Sequence, residues 1–243
     1  GRRRFLDKLR KGGGSGVFRP LETEAIEKNV SFTLDKSLLV GSSLVIEAAT
    51  EDLEVKRALF EELERLVPAQ AILASSSSHL EPELLFERLK RPERALVHHF
   101  FFPAERNPLV EIVAGPRTDP AVADACARFY EAAGKVPIRA KGRYGYAVNP
   151  VFEGLFLASM LIEEKGFSPA VIDAIACRAL GATAGPYTVV NLNGGIAAVQ
   201  AGLRRYHETL MPWFRSPGAL DEKVAARPPR RARNRASTLA AVS

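Results

Sequence analysis

The sequence predicts an α/β region over roughly the first 140 residues and an all-α region after it. Short apolar runs of strand length, at 44–49 and 71–74, alternate with stretches whose apolar residues recur at helical spacing. Near Asn149 the alternation stops, and only helical patterns follow. No internal repeat is visible, so a repeat architecture is not expected.

Residues 3–11 read as a basic helical turn or two that runs into Gly12-Gly13-Gly14-Ser15-Gly16, a flexible connection. This cluster is not a phosphate loop: such a loop follows a buried strand and opens a helix, whereas here a charged helical stretch precedes it and Phe18-Arg19-Pro20 follows. Residues 30–34 alternate like a short strand, and 37–41 suggest a helical turn. The run 44–49 is apolar enough for a buried parallel strand. Leu53, Leu59, Phe60, Leu63 and Leu66 then recur at helical spacing. A second buried strand at 71–74 ends in the serine cluster Ser75 to Ser78, and Pro82 opens a short helix. Strands are expected at 95–101, 109–113 and 136–140, with an amphipathic helix between the last two that starts at Asp119-Pro120 and stops at Gly134. In the second region a long helix covers 151–164, Ser168-Pro169 caps the next helix as far as Gly181, and 192–210 is mostly helical despite Gly194 and Gly195.

Composition narrows the function classes. With 243 residues, 47% of them hydrophobic and 26% charged, the chain can build a real core. No apolar run reaches the roughly 18 residues of a membrane span. Cys126 and Cys177 both sit in helical patterns and make no disulfide scaffold, so a reducing cytoplasm is expected. The net charge of +6 is local, because Lys223, Arg227, Arg230, Arg231, Arg233 and Arg235 all follow the last acid, Glu222. This tail, 223–243, is expected to be disordered, and nucleic acid is not expected as a partner.

A few residues suggest chemistry by themselves. Glu111 lies within Leu109-Val110-Glu111-Ile112-Val113, where an acid is expensive unless paired. His98 and His99 are adjacent on a strand and so point to opposite faces. Four serines after a strand, Ser75 to Ser78, would be explained equally well by a simple turn. No metal-ligating cluster is expected.

Several blocks resemble the NAD-dependent 3-hydroxyacyl-CoA dehydrogenases in order and spacing. Leu73-Ala74-Ser75-Ser76-Ser77-Ser78-His79-Leu80 is similar to the family's F-A-S-N-T-S-S-L. His99-Phe100-Phe101-Phe102-Pro103 followed by Leu109-Val110-Glu111-Ile112 is similar to H-F-F-N-P and L-V-E-V. Gly145-Tyr146-Ala147-Val148-Asn149 is similar to G-F-I-V-N. The stretch 45–56, Val-Ile-Glu-Ala-Ala-Thr-Glu-Asp-Leu-Glu-Val-Lys, is similar to V-V-E-A-x-x-E-N-L-x-V-K, and Ile172-Asp173 and Gly185-Pro186-Tyr187 echo later motifs. The resemblance runs from about residue 44 to 194.

The resemblance implies a fold and a reaction. The fold is a partial Rossmann-type domain at 1–144, a helical substrate and dimerisation domain at 145–222, and the basic tail. The reaction is NAD-linked oxidation of a (S)-3-hydroxyacyl-CoA to the 3-oxoacyl-CoA. His99 matches the base that takes the hydroxyl proton, a role suited to imidazole. Glu111 matches the carboxylate that orients it, Ser78 the serine that hydrogen-bonds the substrate hydroxyl, and Asn149 the asparagine near the interdomain hinge. Glu51 and Lys56 match positions near the nicotinamide-side ribose and phosphate, and Ser76 replaces an asparagine in the same cofactor region. A homodimer through the helical domain is implied.

Departures from the family pattern set further expectations. The family opens with a strand, a G-x-G-x-x-G turn and a helix. This chain is expected to begin inside the helix after the second strand, without that first βαβ unit, to bind NAD poorly as given, and to leave a sheet edge open. His79 stands where the family has serine or another small polar residue, Phe102 replaces the asparagine before Pro103, Pro150 replaces a basic residue, and Asn191 stands where aspartate is frequent. A sugar-acid dehydrogenase resembling L-gulonate dehydrogenase, and a non-catalytic remnant acting by dimerisation, are the rival expectations.

Overall fold

The computed structural model describes residues 2–14, 19–101, 103–192, 195–210, 212, 214 and 238–242. Two helices lead, α1 (Arg2–Gly14) and α2 (Pro20–Lys28), followed by a 3-10 turn at Lys36–Gly41. Then come β1 (Leu44–Ala48), α3 (Leu53–Leu66), β2 (Ile72–Ser75), α4 (Pro82–Leu85), β3 (Ala95–Phe100), β4 (Leu109–Ala114), α5 (Pro120–Ala132) and β5 (Val136–Lys141). Four helices follow: α6 (Asn149–Glu163), α7 (Pro169–Leu180), α8 (Pro186–Leu192) and α9 (Ile196–Thr209). A last strand, β6 (Thr238–Val242), returns to the sheet.

The sheet order is β5-β4-β3-β2-β1-β6. β1, β2 and β3 run parallel, as do β4 and β5, while β3 and β4 are antiparallel. Side chains alternate across this sheet and feed two cores. Val45, Leu73, Val97 and Val113 pack against Phe60, Leu63, Leu85 and Phe86, the face covered by α3 and α4. Leu96, Val110 and Ile112 pack against Ala123, Cys126 and Tyr130 of α5 on the other face. A separate core joins Phe156, Leu157 and Met160 of α6 to Val190 of α8 and to Val199, Leu203 and Tyr206 of α9. The expected caps form, Asp119 accepting from the Ala121 amide and Ser168 from Val171, and Asp52 caps α3 by accepting from the Val55 amide. Gly181 ends α7 in the left-handed region at φ 63°.

Four expectations are corrected. Residues 30–34 form no strand; Val30, Phe32 and Leu34 are exposed, and a strand needs a neighbour to take its backbone hydrogen bonds. Gly12 to Gly14 continue α1 rather than starting a linker, and a Cβ at Gly13 would come 3.1 Å from Thr23 Oγ1, so glycine lets α2 pack close. The outer edge of β1 is not open: β6 pairs with it antiparallel, Leu44 opposite Val242 and Ala48 opposite Thr238. The expectation of a disordered tail therefore fails at 238–242, where unpaired β1 backbone groups supply a template. Residues 223–237, with the basic cluster, lie outside the described residues, as do Gly16, Phe102 and Gly194. No helix among the described residues is long and apolar enough to cross a membrane.

Candidate active site

β3 and β4 place the two central groups by register. His99 and Glu111 are direct partners in the antiparallel ladder and so share a face. Their side chains meet, with His99 Nδ1 2.6 Å from Glu111 Oε2, at 4% and 0% exposure. A carboxylate only accepts, so Nδ1 carries a hydrogen, and in the neutral ring the lone pair is then on Nε2. The other carboxylate oxygen, Oε1, accepts the amides of Ala147 at 2.9 Å and Val148 at 3.0 Å. Glu111 thus joins the imidazole to the start of the helical region. The His99 ring is held between Phe101 and Tyr146, at centroid distances of 4.7 and 5.4 Å.

His98 faces the other way. It is fully buried, its Nδ1 shares a hydrogen bond with the Tyr130 hydroxyl at 2.9 Å, and burial pushes its pKa down to about 3. It is a neutral core residue against α5.

The serine cluster forms a turn at the C-terminal end of β2 with a different task for each residue. Ser75 and Ser77 are fully buried. Ser75 donates to Glu47 Oε2 at 2.7 Å. Ser77 donates to Glu51 Oε1 at 2.5 Å and accepts the amides of His79 and Leu80. Ser78 is half-buried; its amide donates to Glu51 at 3.1 Å, and its carbonyl accepts from Asn149 Nδ2 at 2.8 Å. The hydroxyl of Ser78 makes no hydrogen bond among the described residues, which leaves it available. Ser76 is half-buried, and its amide donates to the Glu47 carbonyl at 2.8 Å.

The structure thus brings Ser78, Asn149 and Glu51 together, and Tyr146 ties them to the dyad. Its ring lies on His99, while its hydroxyl donates to the carbonyls of Leu80 at 2.8 Å and Ser77 at 3.2 Å. Tyr146 is fully buried with φ 57°, and burial pushes its phenol pKa well up.

Lys56 points inward. Its side chain is 1% exposed, and Nζ forks onto both oxygens of Glu47, at 2.7 and 2.9 Å, with Glu51 3.5 Å away. Glu51 is 44% exposed. Glu51 and Ser76 lie just beyond the C-terminal ends of parallel strands β1 and β2, where open α/β sheets hold ligands. They fit the nicotinamide end of a dinucleotide; no described residue supplies a glycine-rich strand-to-helix turn for a pyrophosphate.

Sequence reasoning missed Glu47, Ser77 and Tyr146. Glu47 carried the same signal as Glu111, an acid inside an apolar strand run, with a lysine nine residues on to pair it.

Comparisons with known proteins agree with this geometry. The family profile described as "3-hydroxyacyl-CoA dehydrogenase, NAD binding domain" matches residues 2–143. The chain is 36% identical over 161 residues to the 3-hydroxyadipyl-CoA dehydrogenase of Escherichia coli K12, covering 66% of this chain and 34% of that protein. It is 31% identical over 229 residues to the 3-hydroxybutyryl-CoA dehydrogenase of Mycobacterium tuberculosis H37Rv, covering 93% and 80%. The chain therefore spans about a third of the first relative and most of the second. The crystal structure of M. tuberculosis FadB2 superposes with a TM-score of 0.85 at 30% identity, over 93% of this chain and 80% of that one. With a matching family profile over more than half its length and the His99–Glu111 pair in place, the chain belongs to the 3-hydroxyacyl-CoA dehydrogenase family.

Proposed function

We propose that the protein oxidises a (S)-3-hydroxyacyl-CoA to the 3-oxoacyl-CoA with NAD. The 2.6 Å contact between His99 Nδ1 and Glu111 carries this reading, because it leaves Nε2 as a base of fixed tautomer and orientation. The names of the relatives, dehydrogenases of 3-hydroxyadipyl-CoA and 3-hydroxybutyryl-CoA, support acyl-CoA as substrate.

The chain's own groups divide the work. The Ser78 hydroxyl and the Asn149 side chain hold the substrate's 3-hydroxyl toward His99. Nε2 takes the hydroxyl proton as C3 gives up its hydride and the C–O bond becomes C=O. Glu111 stabilises the imidazolium that forms. Bound NAD supplies the hydride acceptor. Glu51 and Ser76 hold its nicotinamide end, and Lys56 contributes from behind Glu51.

Residues 1–144 form the cofactor part, to whose sheet β6 returns, and 145–222 the helical substrate part. A homodimer through the helical part is supported by its exposed Val151, Phe152, Ile162, Val171, Ile175 and Leu180. Two free cysteines, one of them buried, support a cytoplasmic setting.

The test is NADH formation from (S)-3-hydroxybutyryl-CoA, with L-gulonate as the competing substrate class. His99→Gln lowers kcat by about 10²- to 10⁴-fold without unfolding the protein. Unchanged turnover in that variant, or faster oxidation of the sugar acid, overturns the reading.

A further inference from the structure

Four rings form a column that crosses from the sheet to the helical region. His79 follows Ser78 in the serine turn, and its ring lies 5.2 Å from that of Tyr144, tilted by 34°. Tyr144 meets Tyr206 of α9 edge-on at 5.0 Å, and Tyr206 meets Phe214 at 5.2 Å. The Arg205 guanidinium sits 5.5 Å from the centre of the Tyr144 ring. Aromatic pairs in this distance range attract one another beyond simple burial.

Both ends of the column are anchored. At the sheet end, Ser77 Oγ accepts the amides of His79 and Leu80 and donates to Glu51. At the helical end, Tyr206 is fully buried beside Leu203 and Phe156 in the core of α6, α8 and α9. The middle has no slack, because a Cβ on Gly145 would sit 1.7 Å from the Tyr206 phenol oxygen.

The His79 imidazole makes no hydrogen bond among the described residues. It is half-buried and close enough to Glu51 for that carboxylate to act on it. Burial lowers its pKa, so the neutral ring is the one that stacks. A serine here, as in the family pattern, would leave Tyr144 without a partner on the sheet side.

We propose that His79 is a positioning residue, which through Tyr144 and Tyr206 holds the Ser78 turn in register with α9. The two regions then move as one at the place where the dyad and the substrate-holding serine must meet. The effect on turnover rests on the proposed role of Ser78; the mechanical coupling does not.

Amide hydrogen exchange on the full chain tests the coupling, with wild type, His79→Ser and His79→Phe compared. His79→Ser speeds exchange at the Ser77, Ser78 and Leu80 amides, and also at the Leu203 to Tyr206 amides of α9, by about two- to tenfold. His79→Phe keeps a ring and restores both sets. In turnover of (S)-3-hydroxybutyryl-CoA, His79→Ser raises KM more than it lowers kcat, and His79→Phe returns both toward wild type with an unshifted pH profile. Unchanged exchange at α9 in His79→Ser overturns the proposal, as does a His79→Phe variant as perturbed as His79→Ser. A wild-type protein with no turnover sinks the dehydrogenase reading, while the exchange result still decides the coupling.

Discussion

Tyr206 sets its phenol directly against the backbone of Gly145. A Cβ added there would lie 1.7 Å from the hydroxyl oxygen and 2.6 Å from the ring carbon that bears it, and Gly145 also has φ 69°. Helix α9 and the hinge before Asn149 can approach this closely only over a glycine. Gly145→Ala therefore costs about 3 kcal/mol in urea unfolding, from overpacking and left-handed strain together. Tyr206→Phe costs less than about 1 kcal/mol, because the buried hydroxyl has no hydrogen-bond partner to lose among the described residues. It does not rescue Gly145→Ala, since the ring carbon remains in the way.

His98 should impose an acid limb on stability. Its pKa is about 3 in the fold against 6.5 ordinarily, so between those values the unfolded chain binds more protons than the folded one. Its contribution is whole above pH 6.5 and is lost as pH falls toward 3. The loss is on the order of a few kcal/mol. His98→Leu flattens this limb in unfolding curves taken across that range, even though it forfeits the Tyr130 bond. A variant with the same slope as wild type rejects the assignment.

Glu153 works in the opposite direction. It is 8% exposed, and burial pushes its carboxyl from 4.5 up to about 8. Between those values the folded state holds the extra proton, so stability declines as pH rises from 4.5 toward 8. Glu153→Gln removes that decline, and the variant gains on wild type most clearly near pH 8. Parallel curves for the two proteins over this window contradict a buried neutral acid.

The Glu47–Lys56 pair, 0% and 1% exposed, makes a cycle informative. Glu47→Leu alone leaves a buried ammonium with only the more distant Glu51 carboxylate, 3.5 Å away, and costs about 3 kcal/mol. Adding Lys56→Met recovers most of that loss. Additive losses in the double variant would mean that the pair is not coupled.

Much of the fold was legible because local pattern and final burial agree. Apolar runs at β1 and β2 are buried, and the periodic stretch at 53–66 is the helix α3 it promised. Legibility failed where a distant partner decides. Residues 30–34 alternate like a strand but lack a neighbour, whereas 238–242 sit in a tail read as disordered and acquire one in β1.

For the site, the sequence by itself offered the candidates for chemistry: a histidine and an acid on successive strands, a serine run, and an asparagine where the strand pattern stops. It did so because residue type and spacing are local properties. Only the tertiary structure decided what each one touches. Glu111 serves both His99 and the amides of Ala147 and Val148, Lys56 turns inward to Glu47, and His79 reaches α9 through two tyrosines. His99 meets Glu111 through the pairing of β3 with β4, whereas the contacts of Glu111 with the Ala147 and Val148 amides and of His79 with α9 join segments far apart in the chain, which only the packing of the helical region against the sheet brings within reach.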